Sequence, residues 1–243
     1  MRNSKSLLKM ITLSMLIALG VVISPILRVE GMCPMAHFIN IVCSVFMGPW
    51  YSLLCATLIG IIRMITMGIP PIALTGAIFG AFLSGVFYRA SKGRIIFAVL
   101  GEIIGTGIIG AIMSYPVMTF LWGKEGLSWL FYVPSFICGT LIGGSIAYVF
   151  LRKFAANGML ARIQTMLGSQ SYLDRTSILS NALSIAACGA ILFVVIELAS
   201  DIFKLTGALW DKLSYVALIL CALAAILYYI TKKVKLTHAS GNP

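Results

Sequence analysis

Apolar residues in this chain come in long unbroken runs, separated by short stretches rich in glycine, proline or basic residues. Runs of about 20 apolar residues cross a bilayer as helices, because a helix satisfies its own backbone polar groups where there is no water. The pattern predicts spans at Met10 to Leu27, Tyr51 to Met67, Ile72 to Tyr88, Ile95 to Tyr115 and Phe131 to Leu151. Between the first two, the apolar run from His37 to Met47 is too short to cross. It predicts a partial helix shielded by its neighbours. Pro25, Gly31 and Pro34 break the chain before it, Gly48-Pro49 marks a tight turn after it, and Pro116 is expected to open a segment outside the membrane. Two further spans are predicted at Ile178 to Leu198 and Leu213 to Tyr229.

Small residues fall in rows at a spacing of four. The fourth span has Ala73, Ala77, Ala81 and Gly85 on one side and Gly76, Gly80 and Ser84 on another. The fifth contains Gly101, Gly105, Gly107 and Gly110, and the sixth Gly139, Gly143 and Ala147. Such rows let helix backbones approach closely, and the fourth and fifth spans are expected at the packing centre. In the first span Ser14 and Ala18, and then Gly20 and Ser24, give one smooth flank, suited to contact within the bundle or with a partner protein. The chain therefore divides into a membrane domain at 1–153, a basic linker at 154–176, two extra spans at 177–231 and a tail at 232–243. In the linker Ala156, Leu160, Ile163 and Leu167 share a helical face, which suggests a short helix lying on the membrane surface.

Composition agrees: the chain is 60% hydrophobic and 10% charged, with a mean hydropathy of +1.03, against roughly 25% charged for a soluble domain. The class is an all-α membrane protein. A net charge of +11 raises the question of nucleic acid, but the charges are distributed by side. If the N-terminus is cytoplasmic, the basic residues at 2–9, 89–94, 152–175 and 232–235 all fall inside, 13 of the 18 lysines and arginines. Arg28, Lys124, Lys204 and Lys212 fall outside. That bias is the positive-inside rule and predicts a multi-pass cell-membrane protein with both termini in the cytoplasm. No basic patch is interleaved with aromatics, so nucleic acid is not an expected partner.

The chemistry of catalysis is missing. WGKEG lacks the upstream glycine and the hydroxyl of a phosphate-binding loop, and there is no HExxH or GxSxG pattern. The six cysteines are scattered without a CxxC pair. No enzyme, metal or cofactor is indicated. What remains is an isolated polar set: His37, Asn40, Arg63, Glu102 and Tyr115. A carboxylate or guanidinium within a span is costly unless it is paired, hydrogen-bonded or facing water. Arg63 has three readings: snorkelling, a partner carboxylate such as Glu102, or a wet cavity. His37 and Asn40, at i and i+3, suit either a helix-end anchor or a ligand contact.

The blocks MAHFINIVCSVFMGPWYSLLCATLIGIIR, TGAIFGAFLSGVFYR and GEIIGTGIIGAIMSYPV resemble the ThiW family over about residues 8–153. Members are substrate-binding (S) components of energy-coupling-factor (ECF) transporters, associated with the thiazole precursor of thiamin. The resemblance implies a six-helix S-component bundle, here followed by two additional C-terminal transmembrane helices that the six-helix pattern does not include. It also implies partners: a transmembrane coupling subunit and two cytoplasmic ATPases, which would supply the missing phosphate loop. In S components the first helix docks the coupling subunit through a small-residue row, whose place Ser14 and Ala18 take here. The implied substrate is hydroxyethylthiazole, which His37, Asn40, Arg63 and Tyr115 are expected to contact, with Glu102 a structural or coupling carboxylate. The alternatives are an S component for another small vitamin-like substrate, or an ion-coupled secondary transporter. The latter would predict inverted repeats and interrupted spans, and neither is evident.

Overall fold

The computed structural model describes residues 2–26, 33–172, 178–203 and 210–240, and the regular structure among them is helical. The expected loop with Arg28 and Gly31 lies outside the described residues, as do Arg175 and Lys204. The chain forms two compact units, Met1–Asp174 and Arg175–Pro243.

The first unit holds α1 (Arg2–Ile26), α2 (Pro34–Met47), α3 (Pro49–Met67), α4 (Ile72–Ala90), α5 (Ile95–Leu121), α6 (Val133–Ala156) and α7 (Met159–Met166). Among the described residues, six helical stretches are long and apolar enough to cross a membrane: Lys5–Pro25, α3, α4, α5, α6, and Lys212–Val234 in the second unit. At 14 residues α2 is shorter than these, yet nearly all of its side chains are buried. It packs against α1, α3, α4, α5, α6 and α7. The short helix is the axis of the bundle. Proline at its first turn and at the first turn of α3 starts each helix where a missing N–H costs nothing. Between them Gly48 has φ +94°, a conformation favouring glycine, and a Cβ there would collide with the Arg89 guanidinium.

Helices α4 and α5 cross through their small residues. A Cβ on Gly105 would lie 2.5 Å from Gly80 Cα and 2.6 Å from the Phe79 carbonyl, so backbone meets backbone there. The Ser44 and Ser84 hydroxyls bridge α2 to α4 at 2.8 Å. The glycine rows of α4, α5 and α6 thus lie at helix contacts, as their spacing predicts.

Two expectations change. Pro116 does not end the fifth helix, which continues to Leu121. Residues Ile103–Gly110 and Val117–Leu121 are wound as π-helix, and such local rewinding lets a membrane helix absorb a proline that lacks its N–H. The segment after α6 does not merely lie on the bilayer surface. Leu160, Gln164 and Leu167 are buried, and Gln164 Nε2 donates to the Val45 carbonyl (2.8 Å) and the Tyr88 hydroxyl (3.0 Å). Ser169 Oγ donates to the Phe46 carbonyl at 2.5 Å. A helix end leaves carbonyls without partners, and α7 with its following turn supplies donors to the end of α2.

In the second unit α8 (Ile178–Phe203) and α9 (Trp210–Ser240) pack on each other. Gly189 sits against Cys221, and Phe193 meets the Tyr215 ring at 5.3 Å.

Candidate functional site

Three polar side chains from two helices converge on one carboxylate oxygen. Glu102, in the first part of α5, is fully buried. Its Oε1 accepts from His37 Nδ1 at 2.9 Å, Asn40 Nδ2 at 3.0 Å and Thr106 Oγ1 at 3.2 Å. The i, i+3 spacing in α2 places His37 and Asn40 on the face turned to α5, and Thr106 stands one turn beyond Glu102 on its own helix. Asn40 is held further by the Ala77 carbonyl at 3.4 Å, and Ser52 Oγ donates to the Asn40 carbonyl at 2.9 Å. The other carboxylate oxygen, Oε2, is buried without a partner, and a Cβ on Gly80 would stand 2.8 Å from it. A carboxylate only accepts, so three donors on one oxygen form a saturated anchor.

Beside this network lies a cavity of about 90 Å³, room for several waters at the roughly 10–15 Å³ each requires. His37, Arg63, Gly76, Thr106, Ser135 and Phe136 are in its wall, from α2, α3, α4, α5 and α6. It lies where α2 begins and α3 ends. Because Glu102 holds His37 by Nδ1, the ring nitrogen left for a ligand is Nε2. The wall is largely apolar with a few convergent donors, the usual make-up of a small-molecule site.

The residues singled out from sequence fall in three groups. His37, Asn40 and Glu102 form one network, with His37 also in the cavity wall. Arg63 lines the same cavity but does not pair with Glu102, because α2 and α4 pack against α5 and α2 brings His37 and Asn40 to it first. Nor does Arg63 snorkel: it is only 4% exposed. Tyr115 lies apart from the cavity wall, with its ring against Trp129 at 4.5 Å. Ser14 and Ala18 are on the exposed face of α1, whereas Gly20 and Ser24 are buried, Gly20 against Ile59. Thr106 escaped attention in the sequence, and Gly80 was marked there only as a packing residue. The i+4 spacing of Thr106 from Glu102 was the available signal.

A sequence model of ThiW, described as thiamine-precursor transporter protein, matches residues 10–157. The match takes in most of α1, all of α2 to α6, and both the Glu102 network and the cavity. The chain belongs to the ThiW family. Members of ThiW are thiamine-precursor transporters, and the apolar helices agree with a multi-pass membrane protein. The ThiW match stops before α7, α8 and α9. No curated protein and no solved structure matches the chain.

Proposed function

We propose that this ThiW protein is the substrate-binding S component of an ECF-type transporter and that its substrate is hydroxyethylthiazole. The observation that carries the reading is the cavity with a Glu102-anchored His37 in its wall, inside the segment that matches ThiW. Phe136 and the aliphatic wall suit a small heteroaromatic ring. His37 Nε2, Thr106 and Ser135 suit its nitrogen and hydroxyl, while Asn40 and Glu102 act from behind by fixing His37.

The positive-inside bias orients both termini to the cytoplasm, which turns the cavity mouth outward. Helices α8 and α9 are then two additional transmembrane helices. Ser14 and Ala18, exposed on α1, are the proposed docking row for a transmembrane coupling subunit that works with two cytoplasmic ATPases. Arg63 and Glu102 stand as substrate-side and structural groups respectively, while Tyr115, whose ring lies against Trp129 outside the cavity wall, is given a packing role.

The test is purification of the full chain, mass spectrometry of retained small molecules, and titration with hydroxyethylthiazole, thiamin and other vitamins. Hydroxyethylthiazole should bind and thiamin should bind far more weakly. Binding of an unrelated vitamin and no thiazole would reject the substrate. Failure to co-purify with any coupling subunit and ATPase pair would reject the S-component role.

A further inference from the structure

The Arg63 guanidinium is buried, lines the cavity and, among the described residues, lacks an adequate acceptor. The side chain is 4% exposed, its Nε has no partner, and its Nη2 reaches only the Cys33 sulfur, at 3.5 Å. Sulfur is a weak acceptor, and an arginine offers five N–H donors in a planar fork. No carboxylate among the described residues pairs with it. The titratable groups on this side, among the described residues, are Cys33 and His37 in the wall and Glu102 behind His37, whose Oε1 is taken by three donors and whose Oε2 is buried without pairing with Arg63. The cavity wall thus holds a guanidinium and no carboxylate. A charge buried in this way demands a counter-charge or hydrogen-bond acceptors.

We infer that Arg63 is a specificity residue and that the cavity selects a small heteroaromatic ligand whose side group ends in anionic oxygens, a carboxylate or a phosphate ester. The planar fork matches two such oxygens bidentately. This rests on the cavity being the substrate site. It keeps the thiazole ring of the proposed substrate and departs from that reading in the side group, making the neutral alcohol the weaker of the thiazole ligands.

The test uses the purified full chain in detergent, with calorimetric titration of three probes: hydroxyethylthiazole, its phosphate ester and the corresponding thiazole carboxylic acid. At least one acidic probe should bind roughly tenfold or more tightly than the alcohol, the ratio expected of a charged hydrogen-bonded pair. Arg63→Gln should erase that ratio while alcohol binding persists, and Arg63→Lys should retain part of it. The comparison on the unsubstituted chain needs no variant, so misfolding of a variant leaves it decisive. Equal or tighter binding of the alcohol overturns the inference. So does an equal loss of all three probes in Arg63→Gln, which marks a packing role. Glu30, three residues before Cys33 in sequence, supplies the last control. If Glu30→Gln changes all three affinities as Arg63→Gln does, the counter-charge belongs to the chain and the inference fails. Binding of none of the three would reject the thiazole reading itself.

Discussion

Replacing Glu102 is the sharpest test of the network that organises the bundle. Glu102→Ala removes the acceptor shared by His37, Asn40 and Thr106 and leaves those donors buried. Hydrogen bonds between membrane helices average ~0.6 kcal/mol, and leaving a buried donor without its partner costs ~1–3 kcal/mol, so the expected loss over three donors is ~2–5 kcal/mol. Glu102→Gln separates charge from shape. Its amide oxygen can take the Oε1 position and keep the three donors, but a neutral acceptor is roughly half as strong. Its amide nitrogen then falls at the Oε2 position beside Gly80, where Oε2 itself finds no partner. About half the alanine loss is expected. The assay is unfolding by titrated SDS, followed by circular dichroism, on the ligand-free full chain. Adding Asn40→Ala closes a double-mutant cycle, whose coupling should exceed ~0.5 kcal/mol. A loss below ~0.5 kcal/mol for Glu102→Ala, or additive effects in the cycle, would refute the network as a source of stability.

Three other outcomes follow from the packing. Gly105→Ala drives a Cβ into the backbone of α4 and should cost ~1–3 kcal/mol or stop accumulation, while Gly107→Ala, whose nearest neighbour is the movable Ile137 side chain at 3.0 Å, should cost less in the same SDS titration. Truncation after Asp174 should leave a monodisperse first unit by size-exclusion chromatography, whereas truncation after Lys153 removes the Gln164 and Ser169 donors and should lower the SDS midpoint. Tyr115→Phe should leave ligand affinity unchanged, because the ring stacks on Trp129 away from the cavity wall, and Tyr115→Ala should cost ~0.5–1.5 kcal/mol in stability; a large affinity loss in Tyr115→Phe would put the hydroxyl on the ligand.

Much of the bundle is legible from spacing alone. The rows through Gly76, Gly80 and Gly105 announce close helix contact because that constraint is steric and local to each helix. The brevity of α2 likewise announces its burial. The partner of Glu102 is not legible, since it depends on the register of α2 against α5, and two helices otherwise suitable, α3 and α5, are kept from pairing their charges. The π winding of α5 follows from accommodating Pro116 and the crossing, neither of which has a fixed sequence signature. The placement of α7 eludes a local reading for a simple reason. Its amphipathic pattern is that of a surface helix, and the carbonyl that captures Gln164 belongs to Val45, 119 positions away.

The length of α2 has one more consequence. Fourteen residues rise about 21 Å, against a hydrocarbon core of about 30 Å. The Gly48 end of α2 is capped by Gln164 and Ser169, which leaves its other end for the shortfall of about 9 Å. That is the end where the cavity opens beside Cys33 and His37. In a bundle of equal rods this volume would be filled by another two turns of helix. On the proposed function a bound ligand would complete the column instead, and the size of molecule admitted would be set by how many residues the column omits. Inserting a single turn before Pro34 would displace Cys33 in the cavity wall and is expected to reduce the size of ligand admitted.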